Sequence, residues 1–533
     1  MMKSNQRMFI TSDYRILVLI LSSVILGLLM GCTAPSAAEA LQDVTTVTLL
    51  FTNDIESAYD PTPAYWRDDM KHIGGVAQLA TLIDTMRQHE PNVFLFDAGD
   101  IFTGTLSKLT QGELPFELMI TMQYDAMAIG NHEFEYGWEN FARQKHRVPF
   151  PVLSANMFYK ETDILYAQPY TIIERSGIRI GVIGIMGQDA ATALIPAHIA
   201  GLEVRDPVAA ANKYVRLLRP DVDLIVLLTH QGKTAPMQTD DENPDVKRDI
   251  NADIDLAGAV PGIDVLFGGH ADAGTEKPVV HPDSGTVIMQ TYGQAFYLGF
   301  LQLKVDLEKN EILDFEGRLI PVDSEKLVPH SMVAKKLSDY RARFPDIYKV
   351  VGQTAERLNR RYNAESDIGN LFADILRHGT NAQIGLINSG AIRRDLPRGK
   401  LTRRDLLDAF PFTDRVVTLD IKGVDLLAAL EQSLTLERGM LQVSGLTINY
   451  DLKQSRGSRV LSVLVGDEPL IESSYYRVAT IEIVAQGGDL YKQFLKGTII
   501  NKKGPVFSEL IEKYTASKSM ITTPQRGRLL PKM

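Results

Sequence analysis

The stretch Ala126-Met127-Ala128-Ile129-Gly130-Asn131-His132-Glu133 places an apolar run directly before a Gly-Asn-His-Glu turn. Short runs rich in Val, Ile, Leu and Phe are typical of buried strands. Four other runs are each followed closely by Asp, Asn or His, and they span residues 47–51, 93–96, 224–228 and 265–267. Because an α/β sheet collects functional side chains at the carboxyl ends of its strands, the sequence predicts one polar site there.

The spacing of these runs predicts layers of helices and strands. Helix-like stretches at 75–87, 114–123 and 209–218 lie between the strands, which favours an α/β domain. A charged, helix-prone segment at 325–350 is interpreted as a linker helix. A second unit follows, with a pattern of its own. Its predicted helices span 369–378, 403–409 and 425–433, its predicted strands span 384–387 and 477–481, and Thr402 is a predicted N-cap.

Composition limits the function classes. The chain has 533 residues, more than one ordinary domain, and 45% of them are hydrophobic. Its formal charge of −10 disfavours nucleic-acid binding, which needs clustered Lys and Arg. One cysteine excludes an internal disulfide framework and a Cys-rich zinc site.

The amino-terminal residues predict export. Lys3, Arg7 and Arg15 precede an apolar run at 16–30, and the single cysteine, Cys32, follows it. This order is typical of a secretory signal. Leu29-Met30-Gly31-Cys32 resembles the bacterial lipoprotein box. We therefore expect a signal peptide at 1–31, lipidation at Cys32, a tether at 32–43, and a membrane-anchored protein of the cell envelope, facing the periplasm or the cell surface. An uncleaved anchor helix with a chance cysteine is the alternative.

The residues after the five strands predict metal chemistry. Taken singly, an Asp or His after a strand is usually a turn residue or a satisfied polar group. Taken together, Asp, Asn and His side chains suit Mn, Fe, Zn or Mg. One bridging carboxylate with ligands on both sides would hold two ions about 3.5–4 Å apart, a geometry used for phosphoester displacement.

Five blocks carry a family resemblance, and they are Thr52-Asn53-Asp54, Gly99-Asp100, Gly130-Asn131-His132-Glu133-Phe134, Thr229-His230 and Gly269-His270. Together they resemble the calcineurin-type metallophosphoesterase signature. Their order and spacing are similar to those of the secreted bifunctional 5′-nucleotidase and UDP-sugar hydrolase family. The resemblance implies an α/β fold, a four-layer β-sandwich flanked by helices, followed by a separate α/β carboxyl-terminal domain. The expected bounds are 44–324, 325–350 for the linker, and 351–520.

The resemblance also implies roles for matching positions. Asp100 would bridge two divalent ions, which we expect to be Mn, Mg or Zn. One ion would further take Asn131, His230 and His270, and the other Asp54, Glu56 and Asp272. His132 would not be a ligand; it would stabilise the transition state or protonate the leaving oxygen, with Glu135 as its hydrogen-bond acceptor.

Three of these positions depart from the family pattern. Glu56 replaces a His, Asp272 replaces a His or Gln, and Glu135 replaces an Asp. One metal site would then be all oxygen, which moves its preference from Zn toward Mn, Mg or Ca. The added negative charge beside a phosphate would weaken substrate binding unless the metal is firmly held.

The second unit carries the implied substrate site. Asn388-Ser389-Gly390-Ala391-Ile392-Arg393, the segment 410–412, the segment 442–445 and Gly487-Gly488-Asp489 match family blocks in order. The resemblance implies that Asn388 and Gly390 belong to the substrate loop. Arg393 would pair with phosphate, Phe412 would stack on a base, and Asp489 would bind ribose.

The second unit also departs from the pattern. Ile483 stands where a second stacking aromatic is expected, and Ala391 replaces a Gly. Ala364 and Asp367 replace an Arg and an Asn, with Arg360 and Arg361 as possible substitutes nearby.

These features together predict an exported dinuclear-metal phosphohydrolase in which a metal-bound hydroxide attacks phosphorus. Its substrate would be a small-molecule phosphoester, a nucleoside 5′-monophosphate or related nucleotide. Two alternatives stay open: a phosphoesterase for a non-nucleotide or cyclic phosphate, and a surface binding protein that has lost turnover.

Overall fold

The computed structural model of the protein describes residues 44–64, 66–233 and 248–532. The predicted signal peptide, Cys32 and the tether lie outside these residues. Residues Thr45–Met533 fold as one unit. In the described ranges, no helix is both long and apolar enough to cross a membrane.

The first half of the chain contains two six-stranded sheets. The strands of the first sheet, in spatial order, are Glu311–Pro321, Tyr297–Asp306, Val44–Thr52, Val93–Asp97, Ala126–Ala128 and Val152–Leu153. The strands of the second, in spatial order, are Val279–Val280, Val287–Gln290, Val265–His270, Leu224–Gln231, Ile178–Met186 and Tyr170–Arg175. The five predicted strands pair in parallel within their sheets, so their carboxyl ends point the same way.

The two sheets pack face to face. The rings of Phe51 and Phe267, one from each sheet, stack with centroids 4.1 Å apart, and both side chains are fully buried. Leu49, Phe96 and Val226 belong to the same core. A strand that faces a second sheet on one side and helices on the other is buried on both faces, so its residues are apolar without alternation. This explains the short continuous apolar runs in the sequence.

Helices cover the outer faces of both sheets. The helices of the first half are Val76–His89, Thr105–Thr110, Glu113–Met122, Trp138–Lys145, Pro207–Leu218 and Asn251–Ala259. They form separate outer cores with the sheets. The result is the predicted four-layer α/β sandwich.

The second half has one core of its own. Its main sheet has, in spatial order, Leu441–Ser444, Ile384–Asn388, Tyr475–Ile481, Val416–Lys422 and Thr498–Asn501. A smaller sheet contains Glu468–Pro469, Val460–Val465, Leu446–Tyr450 and Leu529–Pro531, and a ribbon pairs Val350–Thr354 with Gly399–Thr402. The helices are Asp367–Thr380, Arg403–Ala409, Gly423–Ser433, Glu482–Ala485 and Phe507–Ala516.

The predicted elements are confirmed, with shifted ends. Thr402 caps its helix through a reciprocal capping box with Asp405. The helix Ser331–Arg343 lies within the predicted linker. His230 and His270 were expected after their strands but lie inside them, because the parallel ladder continues and pairs Gln231 with His270.

Candidate active site

The predicted ligands meet at one edge of the two sheets. Asp54, Asp100 and Asn131 follow strands of the first sheet, and His230, His270 and Asp272 lie at the ends of strands of the second. Most of them line a cavity of about 1130 Å³, whose other wall belongs to the second half of the chain. In the part of the chain that the structure describes, two groups of side chains have ligand atoms within 4.8 Å of one another. They are Asp100 with His230 and His270, and Asp100 with Glu56 and His132.

Asp100 is the shared centre of these groups. Its Oδ2 atom lies 3.0 Å from His230 Nε2, and its Oδ1 accepts a hydrogen bond from the backbone N–H of His132 at 2.7 Å. Burial would raise the pKa of Asp100, but the positive charges of His230 and His132 outweigh it and lower that pKa. These charges favour the ionised carboxylate, which is the form that a bridging metal ligand would need.

Backbone contacts orient the imidazole of His230. Its Nδ1 donates to the carbonyl oxygen of Ala98 at 2.8 Å, so Nε2 faces Asp100 and Asn131. A metal-binding histidine commonly uses one nitrogen as ligand and fixes the other by such a hydrogen bond. The Nδ2 atom of Asn131 has no hydrogen-bond partner among the described residues.

Asp54 and Asp272 form an acidic pocket beside this centre. Asp54 Oδ2 accepts hydrogen bonds from Asn53 Nδ2 at 2.8 Å and from the backbone of His270 at 2.9 Å. Asp272 Oδ1 is buried without a hydrogen-bond partner in the described chain. Burial raises the pKa of both carboxyls, and the charges of Asp54 and Glu56 raise that of Asp272 further. Buried carboxylates that repel one another fit a divalent cation, so the residues present suit the implied metal.

Five of the seven expected ligands have left-handed backbone conformations. The φ angles are 50° for Asp54, 45° for Glu56, 64° for Asp100, 70° for His270 and 52° for Asp272. Non-glycine residues with positive φ cost about 1–3 kcal/mol each and concentrate at functional sites. The fold therefore strains its backbone where it gathers the carboxylates.

His132 lies between the metal-site residues and the second half. Its Nδ1 donates to Glu135 Oε1 at 2.6 Å, and its Nε2 lies 3.0 Å from Arg393 Nη2. Burial lowers the pKa of His132, but Asp100 and the hydrogen-bonded Glu135 outweigh it and raise that pKa to about 9. A protonated His132 cannot accept a hydrogen bond from Arg393. The pair then presents two cations beside one carboxylate, because Glu56 Oε1 lies 3.4 Å from His132 Nε2 and 3.3 Å from Arg393 Nη1.

Glu133, the last residue of the Gly-Asn-His-Glu turn, organises the site. Its carboxylate accepts hydrogen bonds from the backbone N–H groups of Asp100, Ile101 and Gly130 at 3.0, 2.7 and 2.5 Å. It thereby ties the end of the strand Val93–Asp97 to the Gly-Asn-His turn. Its place directly after His132 in the Gly-Asn-His-Glu block was the one sequence feature that pointed to this role.

The predicted substrate residues line the same cavity. Asn388 Nδ2 donates to Asp489 Oδ2 at 2.5 Å, and Gly390 lies in the adjacent turn Ser389–Ala391. The guanidinium of Arg393 lies over the ring of Phe412, 5.3 Å from its centroid. Ile483, in place of the expected second aromatic, lines the cavity as well.

The neighbouring departures have structural consequences. Arg360 lines the cavity, and burial together with the charges of Arg394 and Arg393 lowers its pKa to about 10. Asp367 forms an ion pair with Arg526 at 2.7 Å. Ala364 contributes its carbonyl oxygen, which accepts from Gln442 Nε2 at 2.9 Å.

Three polar contacts at the site were missed by sequence reasoning. Gln294 Nε2 donates to Glu56 Oε2, and Lys108 Nζ donates to the carbonyl oxygen of Phe412 at 2.5 Å. Arg438 lies 3.5 Å from His270 Nε2. Each joins distant parts of the chain. The one sequence feature that pointed to any of these residues is the position of Arg438, just before the segment 442–445 that resembles a family block.

Comparison with known proteins gives two domain matches and full-length relatives. Residues 47–271 match the calcineurin-like phosphoesterase family, and residues 350–496 match the 5′-nucleotidase carboxyl-terminal domain. The 5′-nucleotidase of Vibrio cholerae is 28% identical, over 95% of this chain and 97% of its own. The snake venom 5′-nucleotidase of Naja atra is 29% identical, over 91% and 98%. The crystal structure of a 5′-nucleotidase precursor from Thermus thermophilus aligns with a TM-score of 0.80 at 27% identity, over 91% of this chain and 99% of that one.

Proposed function

Because the chain belongs to the 5′-nucleotidase family and is a metal-dependent phosphoester hydrolase with a calcineurin-like phosphoesterase domain, we propose that it releases phosphate from nucleoside 5′-monophosphates or related nucleotides. The observation that carries this proposal is the shared cavity. There Arg393 and Phe412 of the second half lie against His132, at the edge of the carboxylate and histidine cluster.

We propose two metal positions around Asp100. Asn131, His230 and His270 would hold one ion, and Asp54, Glu56 and Asp272 the other. Divalent ions bound there would act as Lewis acids and make a water molecule nucleophilic at neutral pH. The unpartnered Asp272 Oδ1 and the carboxylates with raised pKa support an all-oxygen position.

The protein's own residues would carry out the remaining steps. Arg393 binds the phosphate through its planar guanidinium. His132 donates its proton to the leaving oxygen, and Glu135 holds the ring in position and stabilises its charge. Asp489, oriented by Asn388, accepts hydrogen bonds from ribose hydroxyls, while Phe412 and Ile483 contact the base.

We also propose that the chain has two domains, at 44–324 and 351–520, and that Cys32 is lipidated after removal of residues 1–31. The matched segments 47–271 and 350–496 and the intervening helix Ser331–Arg343 support domains at 44–324 and 351–520. The signal sequence supports export and lipidation at Cys32. Two measurements test the lipidation of Cys32. They are detergent partitioning of the mature protein and the mass of the acyl chains attached to it. If Cys32→Ser leaves the protein equally membrane-bound and both forms unprocessed, the anchor is a plain helix.

The test of function is phosphate release from a substrate panel by the purified protein, repeated with Mn²⁺, Mg²⁺ and Zn²⁺. The panel contains nucleoside 5′-monophosphates, a cyclic nucleotide, a sugar phosphate and an aryl phosphate. We expect the nucleoside monophosphates to be hydrolysed with the highest kcat/KM. Ile483 favours a second candidate, because one wall of the base site lacks a ring. Preferred cleavage of a non-nucleotide would support that candidate, and metal binding without turnover on the whole panel would support a binding protein.

A further inference from the structure

Arg438 is a cation of the second half that reaches the metal-site residues from a side not occupied by Arg393. It lies between the helix Gly423–Ser433 and the strand Leu441–Ser444 and lines the shared cavity. Its Nη1 lies 3.5 Å from His270 Nε2, and its Nη2 donates to the carbonyl oxygen of Asp189 at 3.1 Å and lies 3.5 Å from Thr192 Oγ1. Within the described residues these neutral groups are its hydrogen-bond partners, and its charge acts on the Asp489 carboxyl, where it opposes the rise in pKa that burial causes.

The backbone around Arg438 is held firmly. Gly439 has a φ of 77°, and a Cβ atom at this position would come within 2.7 Å of the Tyr362 ring. The carbonyl oxygen of Gly439 accepts from Tyr491 OH at 3.2 Å, and the N–H of Met440 donates to the carbonyl oxygen of Tyr362 at 2.8 Å. Ser389, in the predicted substrate loop, donates from its backbone to Met440 at 3.2 Å. A guanidinium on a fixed loop loses little conformational freedom when it binds a ligand.

The position of Arg438 relative to His270 indicates its partner. A guanidinium only donates hydrogen bonds. If His270 Nε2 serves as a metal ligand, as the proposed function requires, it can no longer accept from Arg438. The guanidinium then faces the reaction centre without that acceptor, and Arg393 faces the centre beside His132 and Glu56. An anion bound between the two arginines would satisfy both.

We propose that Arg438 is a second phosphate-binding arginine, which contacts the oxygens of the scissile phosphate on the side of His270, while Arg393 contacts them on the side of His132. This inference rests on the proposed function, because it requires the proposed metal site. It does not require that the leaving group be a nucleoside. Arg438 should therefore act on every phosphoester that the protein cleaves, and also on inorganic phosphate as a product analogue.

The test uses Arg438→Gln, with Arg456→Gln as the matched control. Arg456 lies in a nearby segment, is about half exposed and pairs with Glu437 outside the cavity. Binding of inorganic phosphate to the Mn²⁺-loaded protein is measured by calorimetry, and kcat/KM is measured for adenosine 5′-monophosphate and p-nitrophenyl phosphate. Loss of a charged hydrogen-bond pair predicts a roughly 10- to 100-fold loss in phosphate affinity and in kcat/KM for both substrates. Arg438→Lys should recover part of this loss, metal content should not change, and Arg456→Gln should behave as wild type.

Unchanged phosphate affinity in Arg438→Gln, with wild-type metal content, would overturn the inference. So would a loss confined to the nucleotide, because Arg438 would then contact the nucleoside instead of the phosphate. If the wild-type protein cleaves only non-nucleotide esters, the proposed substrate is wrong. Arg438 is then still tested on those esters and by phosphate calorimetry, so the two failures are distinguishable.

Discussion

The guanidinium of Arg393 lies 3.0 Å from the Nε2 atom of His132, although 261 residues separate the two along the chain. The same guanidinium reaches Glu56 Oε1 at 3.3 Å. The proposed acid and the proposed phosphate-binding residue therefore belong to different halves of the protein and meet at one point. A substrate bound by the second half would place its phosphate next to His132 and the proposed metal ligands of the first half.

Replacing Glu135 with Gln should change the pH dependence of the reaction. Burial lowers the pKa of His132, but in the metal-free protein Asp100 and then the hydrogen-bonded Glu135 carboxylate outweigh it and raise that pKa to about 9. If protonated His132 is the general acid, kcat/KM falls as pH rises through the pKa that His132 has in the metal-loaded protein. Glu135→Gln removes a stabilising negative charge, so the pKa falls and the decline in kcat/KM begins at lower pH. A pH profile with Glu139→Gln as an exposed control checks this. If the basic limb of the pH profile does not shift in Glu135→Gln, His132 is not the general acid whose pKa Glu135 raises.

The metal preference should follow the oxygen-rich position. Metal-stripped protein should recover more activity with Mn²⁺ or Mg²⁺ than with Zn²⁺, because Asp54, Glu56 and Asp272 offer only carboxylates beside Asp100. Introducing imidazole through Glu56→His together with Asp272→His should move the preference toward Zn²⁺. Reactivation assays on both proteins measure this. Wild-type protein restored best by Zn²⁺ would count against the assignment of Glu56 and Asp272 as ligands.

Stability of the metal-free protein should fall as pH rises. Burial, and then the charges of Asp54 and Glu56, hold the pKa of Asp272 well above its usual range. The folded state therefore keeps a proton that the unfolded state releases near a pKa of about 3.9. Its stabilising contribution is present at acid pH and is lost as pH rises through the folded-state pKa. Asp54 acts in the same direction.

Thermal unfolding with and without chelator, from pH 5 to pH 8, measures this effect. The gain in Tm on adding Mn²⁺ should grow with pH. The amide in Asp272→Asn needs neither a buried charge nor a bound proton, so this substitution should raise the Tm of the stripped protein at pH 8 while reducing the gain from metal. A stripped Asp272→Asn protein that is less stable than stripped wild type at pH 8 would contradict the predicted repulsion.

The strand ends, the ligand types and the order of the motifs could be predicted from the sequence. Asp100 lies just after an apolar run, and His270 lies at the end of one. A parallel sheet brings the carboxyl ends of its strands together, whatever path the connecting loops take. The left-handed φ angles of Asp54 and Asp272 could not be predicted, because they result from how the loops close over one another. Arg438 was missed because its contact with His270 spans 168 residues and depends on how the second half lies against the first.

The base site should respond to a restored aromatic ring. Phe412 and Ile483 both line the cavity, and an aliphatic wall excludes water without stacking on a base. Ile483→Phe should lower the KM for purine nucleotides by up to roughly tenfold, which is the reach of an added stacking contact. Hydrolysis of p-nitrophenyl phosphate should not change, and Ile499→Phe, on the exposed strand Thr498–Asn501, serves as the control. If Ile483→Phe abolishes nucleotide hydrolysis while another phosphoester is still cleaved well, the pocket is built for a different leaving group.

The most direct test of the dinuclear account is one comparison of wild-type protein with Asp100→Asn. Phosphate release from adenosine 5′-monophosphate and metal content per chain are measured on the same Mn²⁺-loaded samples, with the exposed Asp314→Asn as control. Because Asp100 would serve both ions, we predict two ions and full turnover for wild type and for the control. Asp100→Asn should lose at least one ion and most of its activity. Full metal occupancy and full phosphate release in Asp100→Asn would contradict the proposed site.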